Sequence, residues 1–207
     1  MSAALKSLFL LGAFLLGSVP FGLLLTRLFT GEDVRRVGSG NIGASNVTRA
    51  AGRTAGALTL LLDAAKAALP MLLVRALAGA GDQAEGWVVA TGLAAFLGHL
   101  YPPWLRFRGG KGVATALGVF LVLAPLPSLA ALGAFGLVYG WTRIPALGSL
   151  AGTAVCCLGT LWQEWLRQGR SALVSLVPWA SVALSAVIVV RHRENLARLR
   201  AGEEHKA

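Results

Sequence analysis

Apolar residues run through this chain in long stretches, separated by short segments that hold nearly all of its charge. The stretches fall at roughly 4–29, 54–80, 86–101, 112–124, 128–141, 146–166 and 171–190. Leu, Ala, Val and Gly dominate them without strand-like alternation, which favours helices over a barrel. Repeated apolar stretches of bilayer-crossing length predict a polytopic bundle of about seven membrane-spanning helices. The two stretches between 112 and 141 are short and are divided by Pro125 and Pro127. They form either two short spans or one re-entrant hairpin, and neither alternative changes the side on which the chain ends. The first stretch, with Lys6 as a weak positive flank, has the look of a signal-peptide core. Its length and the want of a small-residue cleavage site favour a retained helix.

Composition agrees with the pattern. The 207 residues are 56% hydrophobic and 14% charged, with a mean hydropathy of +0.67. The fold class is therefore all-α, a transmembrane helix bundle, and the want of linkers or repeats makes residues 1–207 one integral-membrane domain. A net charge of +10 could point to nucleic acid, but its placement argues for membrane topology instead. Fourteen of the 19 Lys and Arg residues sit in 27–53, 102–111, 142–145 and the C-terminal tail. With seven spans all four segments share one face, so that face is cytoplasmic, the N-terminus is outside and the C-terminus is cytoplasmic. The adjacent Cys156 and Cys157 point about 100° apart on a helix, which suits packing better than a disulfide or a metal.

Three polar segments carry the candidate chemistry. The first, Gly38-Ser-Gly-Asn-Ile-Gly-Ala-Ser-Asn-Val-Thr-Arg49, formally matches the dinucleotide pattern G-x-G-x-x-G. That reading needs a preceding strand, whereas the flanks here are membrane helices, so it fails. What survives is an anion-binding loop: glycines that free backbone amides, Ser39, Asn41 and Asn46 as dipoles, Arg49 as a bidentate cation, and a helix starting near Ala44. A flexible loop with Arg for topology is the plainer alternative, which the density of Gly, Asn, Ser and Arg outweighs.

The second segment runs from Gly98 to Thr115 and places Arg106, Arg108 and Lys111 around Gly109, Gly110 and Gly112. A cation beside open backbone, just before a helix, makes a phosphate cradle. It is not a P-loop, because Leu105 stands where the motif needs Gly and Gly112 where it needs Ser or Thr. Arg106 and Arg108 also suit simple contact with anionic lipid. The third segment, Arg191 to Lys206, should continue helically out of the last stretch, with His192 and Asn195 three apart on one face. They can offer a proton carrier and an orienting amide. Alone, this segment reads equally well as a positive stop-transfer tail.

Within the membrane, Asp63 and Lys66 are spaced i, i+3 and can pair, either for function or to lock two helices. His99, at the end of the third stretch, reads as a structural histidine. Ser149 opens the sixth stretch and either caps it or faces the site.

Taken together, these motifs resemble the acyl-phosphate-dependent glycerol-3-phosphate acyltransferases of bacterial plasma membranes. The resemblance rests on G-S-G-N-I-G-A-S-N-V-T-R at 38–49, G-H at 98–99 with F-R-G-G-K-G-V-A-T at 107–115, and H-R-E-N-L-A-R-L at 192–199. Ser-Val-Pro-Phe-Gly at 18–22, Leu-Leu-Asp-Ala-Ala-Lys at 61–66 and Leu-Gly-Ser at 147–149 also fit, so it covers essentially the whole chain. Ser45, Ala67 and the pair Pro145-Ala146 depart from the usual pattern without removing a phosphate ligand. The resemblance implies acyl transfer from acyl phosphate to the sn-1 hydroxyl of glycerol 3-phosphate, giving lysophosphatidic acid and phosphate. It implies catalytic roles for Ser39, Arg49, Lys111, His192 and Asn195. Substrate-binding roles fall to Gly40, Asn41, Gly43, Asn46, Gly110, Gly112 and Ser149.

The expected partners are the two phosphorylated substrates and membrane lipid, with no nucleic acid. A monomer in the bacterial plasma membrane, with its active site on the cytoplasmic face, is expected. No cofactor or metal is called for, since Asp63 is the only carboxylate facing the membrane interior. The chain has neither the G-x-S-x-G elbow of a covalent acyltransferase nor the H-x-x-x-x-D of thioester-dependent enzymes, Trp104 lying five residues after His99. A transporter of phosphorylated metabolites predicts polar groups through the bilayer, and a lipid-binding scaffold predicts tolerance of Lys at Arg49. A CDP-alcohol phosphotransferase needs an Asp cluster that is missing here.

Overall fold

The computed structural model describes residues 3–78 and 81–204. Lys206, counted above in the basic tail, and positions 79–80 of the second stretch lie outside the described residues. The chain divides between Val122 and Leu123 into two compact units, each built from helices alone among the described residues.

The first unit contains α1 (Ala3–Gly17), α2 (Phe21–Thr30), α3 (Ala44–Ala78), α4 (Asp82–Leu100) and nearly all of α5 (Val113–Leu123). The first apolar stretch is thus not one continuous helix. It breaks at Ser18–Pro20, because Pro20 has no N–H to continue the ladder. The second stretch starts ten residues earlier than hydropathy suggests, at Ala44, the position at which the first loop was expected to enter a helix. Hydropathy misses that opening because it carries Ser45, Asn46, Thr48, Arg49 and Arg53, and Gly52 then kinks α3 at φ 85° and ψ 172°, a conformation open essentially only to glycine. The kink separates the polar turn bearing Arg49 from the apolar span beyond it. Small residues let α1 and α4 approach closely: a Cβ on Gly17 would overlap the backbone of Ala95, and one on Gly98 the carbonyl of Phe14.

The second unit contains α6 (Pro125–Thr142), α7 (Pro145–Gln168), α8 (Leu176–Arg191) and α9 (Arg193–Ala201). Helix α6 ends on Arg143 in the left-handed conformation, and Pro145 starts α7 after two connecting residues. One face of α7 carries Gly148, Gly152, Cys156, Thr160 and Glu164 at four-residue intervals, all buried. Its Gly148 and Gly152 pack against Phe135 and Ala131 of α6, the close approach that a small-xxx-small stripe permits. Cys156 belongs to this packing stripe, and both cysteines are free thiols.

Four helical stretches, Leu5–Thr30, Ala44–Ala78, Gln83–Leu105 and Pro145–Val174, are long and apolar enough to cross a bilayer. The pair α8 and α9 raises the number to five if its bent halves make one span. Helix α5, with 11 residues, reaches only about 16 Å at 1.5 Å per residue, short of a hydrocarbon core of ~30 Å. Leu8, Leu61, Leu137 and Leu158 are all more than 60% exposed, an outward apolar surface suited to lipid rather than water.

The α1–α4 contact gives a direct test. Gly17→Ala is expected to destabilise the protein by about 1–3 kcal/mol through overpacking. Gly12→Ala, at a site with open space around it, should cause no loss. Thermal unfolding of both variants in the same detergent separates the two.

Candidate active site

The first polar loop is organised around one buried amide. Asn46, 2% exposed, donates through Nδ2 to the carbonyls of Val34, Val37 and Asn41 at 2.9–3.0 Å. Its Oδ1 accepts from the Ser39 amide at 3.1 Å. Asn41 Oδ1 accepts from the Gly43 amide at 2.9 Å and so turns the chain toward α3. Gly38 and Gly40 take positive φ values, 54° and 66°, which this tight course requires. Gly38 also lies beside the stem of Arg49, since a Cβ there would come 3.8 Å from Arg49 Cδ. Both asparagines thus use side-chain amides to shape the loop, in which Ser39 and Arg49 are the other side chains suited to an anion.

Charge in this region is already sorted. Asp33 accepts from the Arg35 backbone N–H at 3.0 Å and from its guanidinium Nη2 at 2.6 Å, and lies 3.3 Å from Arg27 Nη2. The Arg35 hydrogen bonds hold the Asp33 carboxyl well below the usual carboxylate range, against an opposing push from partial burial. A depressed carboxyl pKa stabilises above the unfolded value of about 3.9, so this brace is intact at neutral pH and weakens only in acid.

The second polar segment folds back on the end of α4. The Gly109 amide donates to Leu100 O at 3.1 Å and the Gly110 amide to His99 O at 3.2 Å, satisfying carbonyls of the last helical turn. A Cβ on Gly110 would overlap His99 Nε2, and one on Gly112, at φ 86°, would overlap the Phe96 ring. The glycines around Lys111 therefore serve close packing against α4, a use that the phosphate-cradle reading of the sequence did not foresee. Arg106 and Phe107 both adopt positive φ, 52° and 61°, as the loop reverses. Trp104 Nε1 donates to Ser18 Oγ at 2.7 Å, pinning this loop to the break between α1 and α2. Helix α5 then opens at Val113, just after Lys111, as expected.

The two loops share a floor. Leu105 of the second loop packs in one buried cluster with Val34, Ile42 and Val47 of the first, together with Leu23 and Ala55. Beneath the second loop lies a buried polar group. Lys66 Nζ contacts Asp63 Oδ1 at 2.7 Å, His99 Nδ1 at 2.9 Å and the Val19 carbonyl at 2.9 Å. The expected Asp63–Lys66 pair forms, and His99 joins it.

In the second unit, His192 marks a bend of 51° between α8 and α9, so the basic tail does not continue straight out of α8. The ring Nδ1 lies 2.8 Å from the Ile188 carbonyl, which can only accept, so Nδ1 carries the proton. In the neutral ring Nε2 is then the basic nitrogen. Asn195 is buried and donates to Glu204 Oε1 at 2.6 Å, while Arg198 holds Glu204 Oε2 at 2.8 Å. Sequence reasoning passed over Glu204. The left-handed Gly202 that returns the chain toward Asn195 was the available signal. Ser149 does not cap α7, which begins at Pro145 after Ile144, but sits half-buried in its second turn. Sequence reasoning also missed Thr115, a fully buried hydroxyl in the first turn of α5 with no hydrogen-bond partner. Among the described residues, no three His, Cys, Asp or Glu side chains gather to hold a metal ion.

These features define an all-helical membrane protein with two polar loops, each bearing a basic residue suited to phosphate, braced against one another. The glycerol-3-phosphate acyltransferase family model matches residues 7–202. A glycerol-3-phosphate acyltransferase of Anaeromyxobacter sp. (strain Fw109-5) is 55% identical over 207 residues, covering 100% of this chain and 98% of its own. That of Myxococcus xanthus (strain DK1622) is 50% identical over 198 residues, covering 94% of this chain and 95% of its own. Among solved structures, PlsY, an integral membrane glycerol 3-phosphate acyltransferase, in its glycerol 3-phosphate form aligns with a TM-score of 0.84 at 37% identity. The alignment covers 98% of this chain and 95% of PlsY. The chain belongs to the glycerol-3-phosphate acyltransferase family.

The Asn46 clamp is testable. Asn46→Ala takes the side-chain partner from the Asn41 carbonyl and the Ser39 amide, at about 1–3 kcal/mol for each group that water cannot reach, while the Val34 and Val37 carbonyls keep the Val37 and Gly40 amides. Asn46→Asp, which has no donors and sets a carboxylate against three carbonyls, should be at least as damaging. Limited proteolysis between 31 and 43, read beside thermal unfolding, is expected to show the loop opening in both.

Proposed function

We propose that this chain transfers a fatty acyl group from acyl phosphate to the sn-1 hydroxyl of glycerol 3-phosphate, releasing lysophosphatidic acid and inorganic phosphate. The observation that carries the reading is the shared floor under the two loops, which brings the segments of Arg49 and Lys111 together through Leu105. Both substrates bear phosphate, so two cationic anchors on neighbouring loops match what the reaction must hold.

The substrate hydroxyl attacks the acyl carbonyl directly. Acyl phosphate is a mixed anhydride whose phosphate leaves readily, so catalysis needs alignment and charge stabilisation rather than a covalent acyl-enzyme. Arg49 and Lys111 hold the phosphate groups, and the Ser39 hydroxyl adds a donor beside Arg49. Gly40, Asn41, Gly43 and Asn46 shape the first loop, while Gly110 and Gly112 fix the second. Ser149, His192 and Asn195 complete the substrate contacts, as the family resemblance implies, with Glu204 orienting the Asn195 amide. The hydroxyl proton passes to a phosphate oxygen or to His192 Nε2. The reaction as written consumes no cofactor or metal.

In this reading residues 1–207 act as one domain, a monomer with about seven spans in the bacterial plasma membrane. The N-terminus is outside, and the active site and C-terminus are cytoplasmic, where the basic loops belong. The acyl chain enters sideways from the bilayer.

Purified protein in lipid should release phosphate from palmitoyl phosphate only when glycerol 3-phosphate is present, and should yield no product from palmitoyl-CoA. Turnover with neither donor by folded protein would turn the reading toward transport. Arg49→Ala is expected to lower kcat/KM by about 100-fold or more, and Arg49→Lys by at least about tenfold, because an ammonium cannot replace the bidentate fork. Tolerance of Lys at this position would favour a scaffold that only binds anionic lipid. For His192→Ala, a loss of about 100-fold or more in kcat assigns the proton to imidazole, and a loss below about tenfold assigns it to phosphate.

A further inference from the structure

We propose that the buried cluster of Asp63, Lys66 and His99 positions Lys111, acting through Gly110, so that it tunes phosphate binding rather than only anchoring helices. The inference rests on the reading above, in which Lys111 holds a substrate phosphate.

Lys66 donates to Val19 O and to His99 Nδ1, each at 2.9 Å, and Asp63 Oδ1 lies 2.7 Å from the same nitrogen as its ion-pair partner. With Lys66 as the donor, Nδ1 is the accepting nitrogen and the ring proton lies on Nε2. That fixes both ends of the ring. Asp63 Oδ1 lies a further 3.8 Å from His99 Nδ1, close enough to balance the ammonium without displacing it from the ring. The far edge of the imidazole then meets Gly110 so closely that no Cβ fits between them. On the same side the Gly109 and Gly110 amides bond the Leu100 and His99 carbonyls. Lys111 is the next residue, and Gly112 beyond it rests on Phe96 of the same helix. The backbone on either side of Lys111 is thus seated on α4, with the His99 ring as the seat before it.

A purely structural cluster would need only the helix-to-helix contacts among Val19, Asp63 and His99 Nδ1. The tight fit of the ring's other edge against Gly110 is extra, and it adjoins the residue that the reaction requires. Asn in place of His99 separates the two roles. Its side-chain oxygen can accept from Lys66 near the Nδ1 position, while the Nε2 edge that supports Gly110 is gone.

The test is a double-mutant cycle read by equilibrium binding, so that it needs no turnover. Glycerol 3-phosphate and palmitoyl phosphate are titrated separately into the full-length protein in lipid. His99→Asn is expected to weaken binding of whichever phosphate depends on Lys111 by about tenfold, equivalent to ~1.4 kcal/mol. In the Lys111→Ala background the same substitution should change binding by less than about twofold, since nothing remains to position. Equal losses in both backgrounds, or no loss in either, would overturn the positioning role and leave the function intact. If Lys111→Ala alone leaves both affinities unchanged, the assignment of Lys111 to phosphate fails and the present proposal fails with it. Should His99→Asn not yield folded protein, Asp63→Asn/Lys66→Gln removes the charges as a pair, so no lone charge stays buried, and enters the same cycle with the same two outcomes.

Discussion

The first unit is built around an ammonium group that water cannot reach. Lys66 is 1% exposed at its side chain, and a charge so placed is tolerated only with close, well-directed partners. It finds them on three separate elements: the break after α1, its own helix α3, and the end of α4. The break supplies Val19, whose carbonyl is available because the chain leaves the helix before Pro20. An interruption that would be a defect in a lipid-facing helix thus becomes a ligand for a buried cation. Losing Asp63 leaves the charge uncompensated, and losing Val19 O or His99 Nδ1 leaves a buried donor unmet, so the three elements are fixed as a set.

This constraint changes how the glycine-rich motifs are read. Both loops have the composition of backbone anion cradles, and the physical argument for such cradles is sound. Yet the Ser39 amide binds Asn46, the Gly43 amide binds Asn41, and the Gly109 and Gly110 amides bind the end of α4. Gly110 and Gly112 are small because His99 and Phe96 leave no room for a side chain. In the proposed function, anion capture by these loops accordingly rests more on Arg49, Lys111 and hydroxyl groups than on backbone N–H groups. The glycines matter by allowing those side chains to be carried on rigid, closely seated loops.

What the sequence made legible follows the same division. Hydropathy marked the apolar stretches, the three-residue spacing announced the Asp63–Lys66 pair, and the starts of α3 and α5 fell where the loops were expected to enter helices. Interruptions inside helical stretches were harder, because the Gly52 kink and the bend at His192 depend on single residues that a hydropathy window averages away. Ser149 was placed at a helix start because Pro145 was not credited as the first helical residue, a position proline favours. Contacts that close only in three dimensions were not legible at all. Nothing local tells that Asn46 reaches back to Val34, or that Glu204 returns to Asn195.

His99 and His192, both buried, show how far surroundings, rather than residue type, decide chemistry. At His99 the neighbour is an ammonium, which can only donate, so Nδ1 gives its lone pair and the proton resides on Nε2. At His192 the neighbour is the Ile188 carbonyl, which can only accept, so Nδ1 holds the proton and Nε2 keeps the lone pair. The first ring has its basic nitrogen committed to a cation and is unsuited to take a proton from a substrate. The second has the tautomer that a general base requires, with its ring held by its own helix. From sequence, each was a histidine at the end of an apolar stretch. Under the proposed reaction, the opposite tautomers suit His99 to support and His192 to receiving the hydroxyl proton.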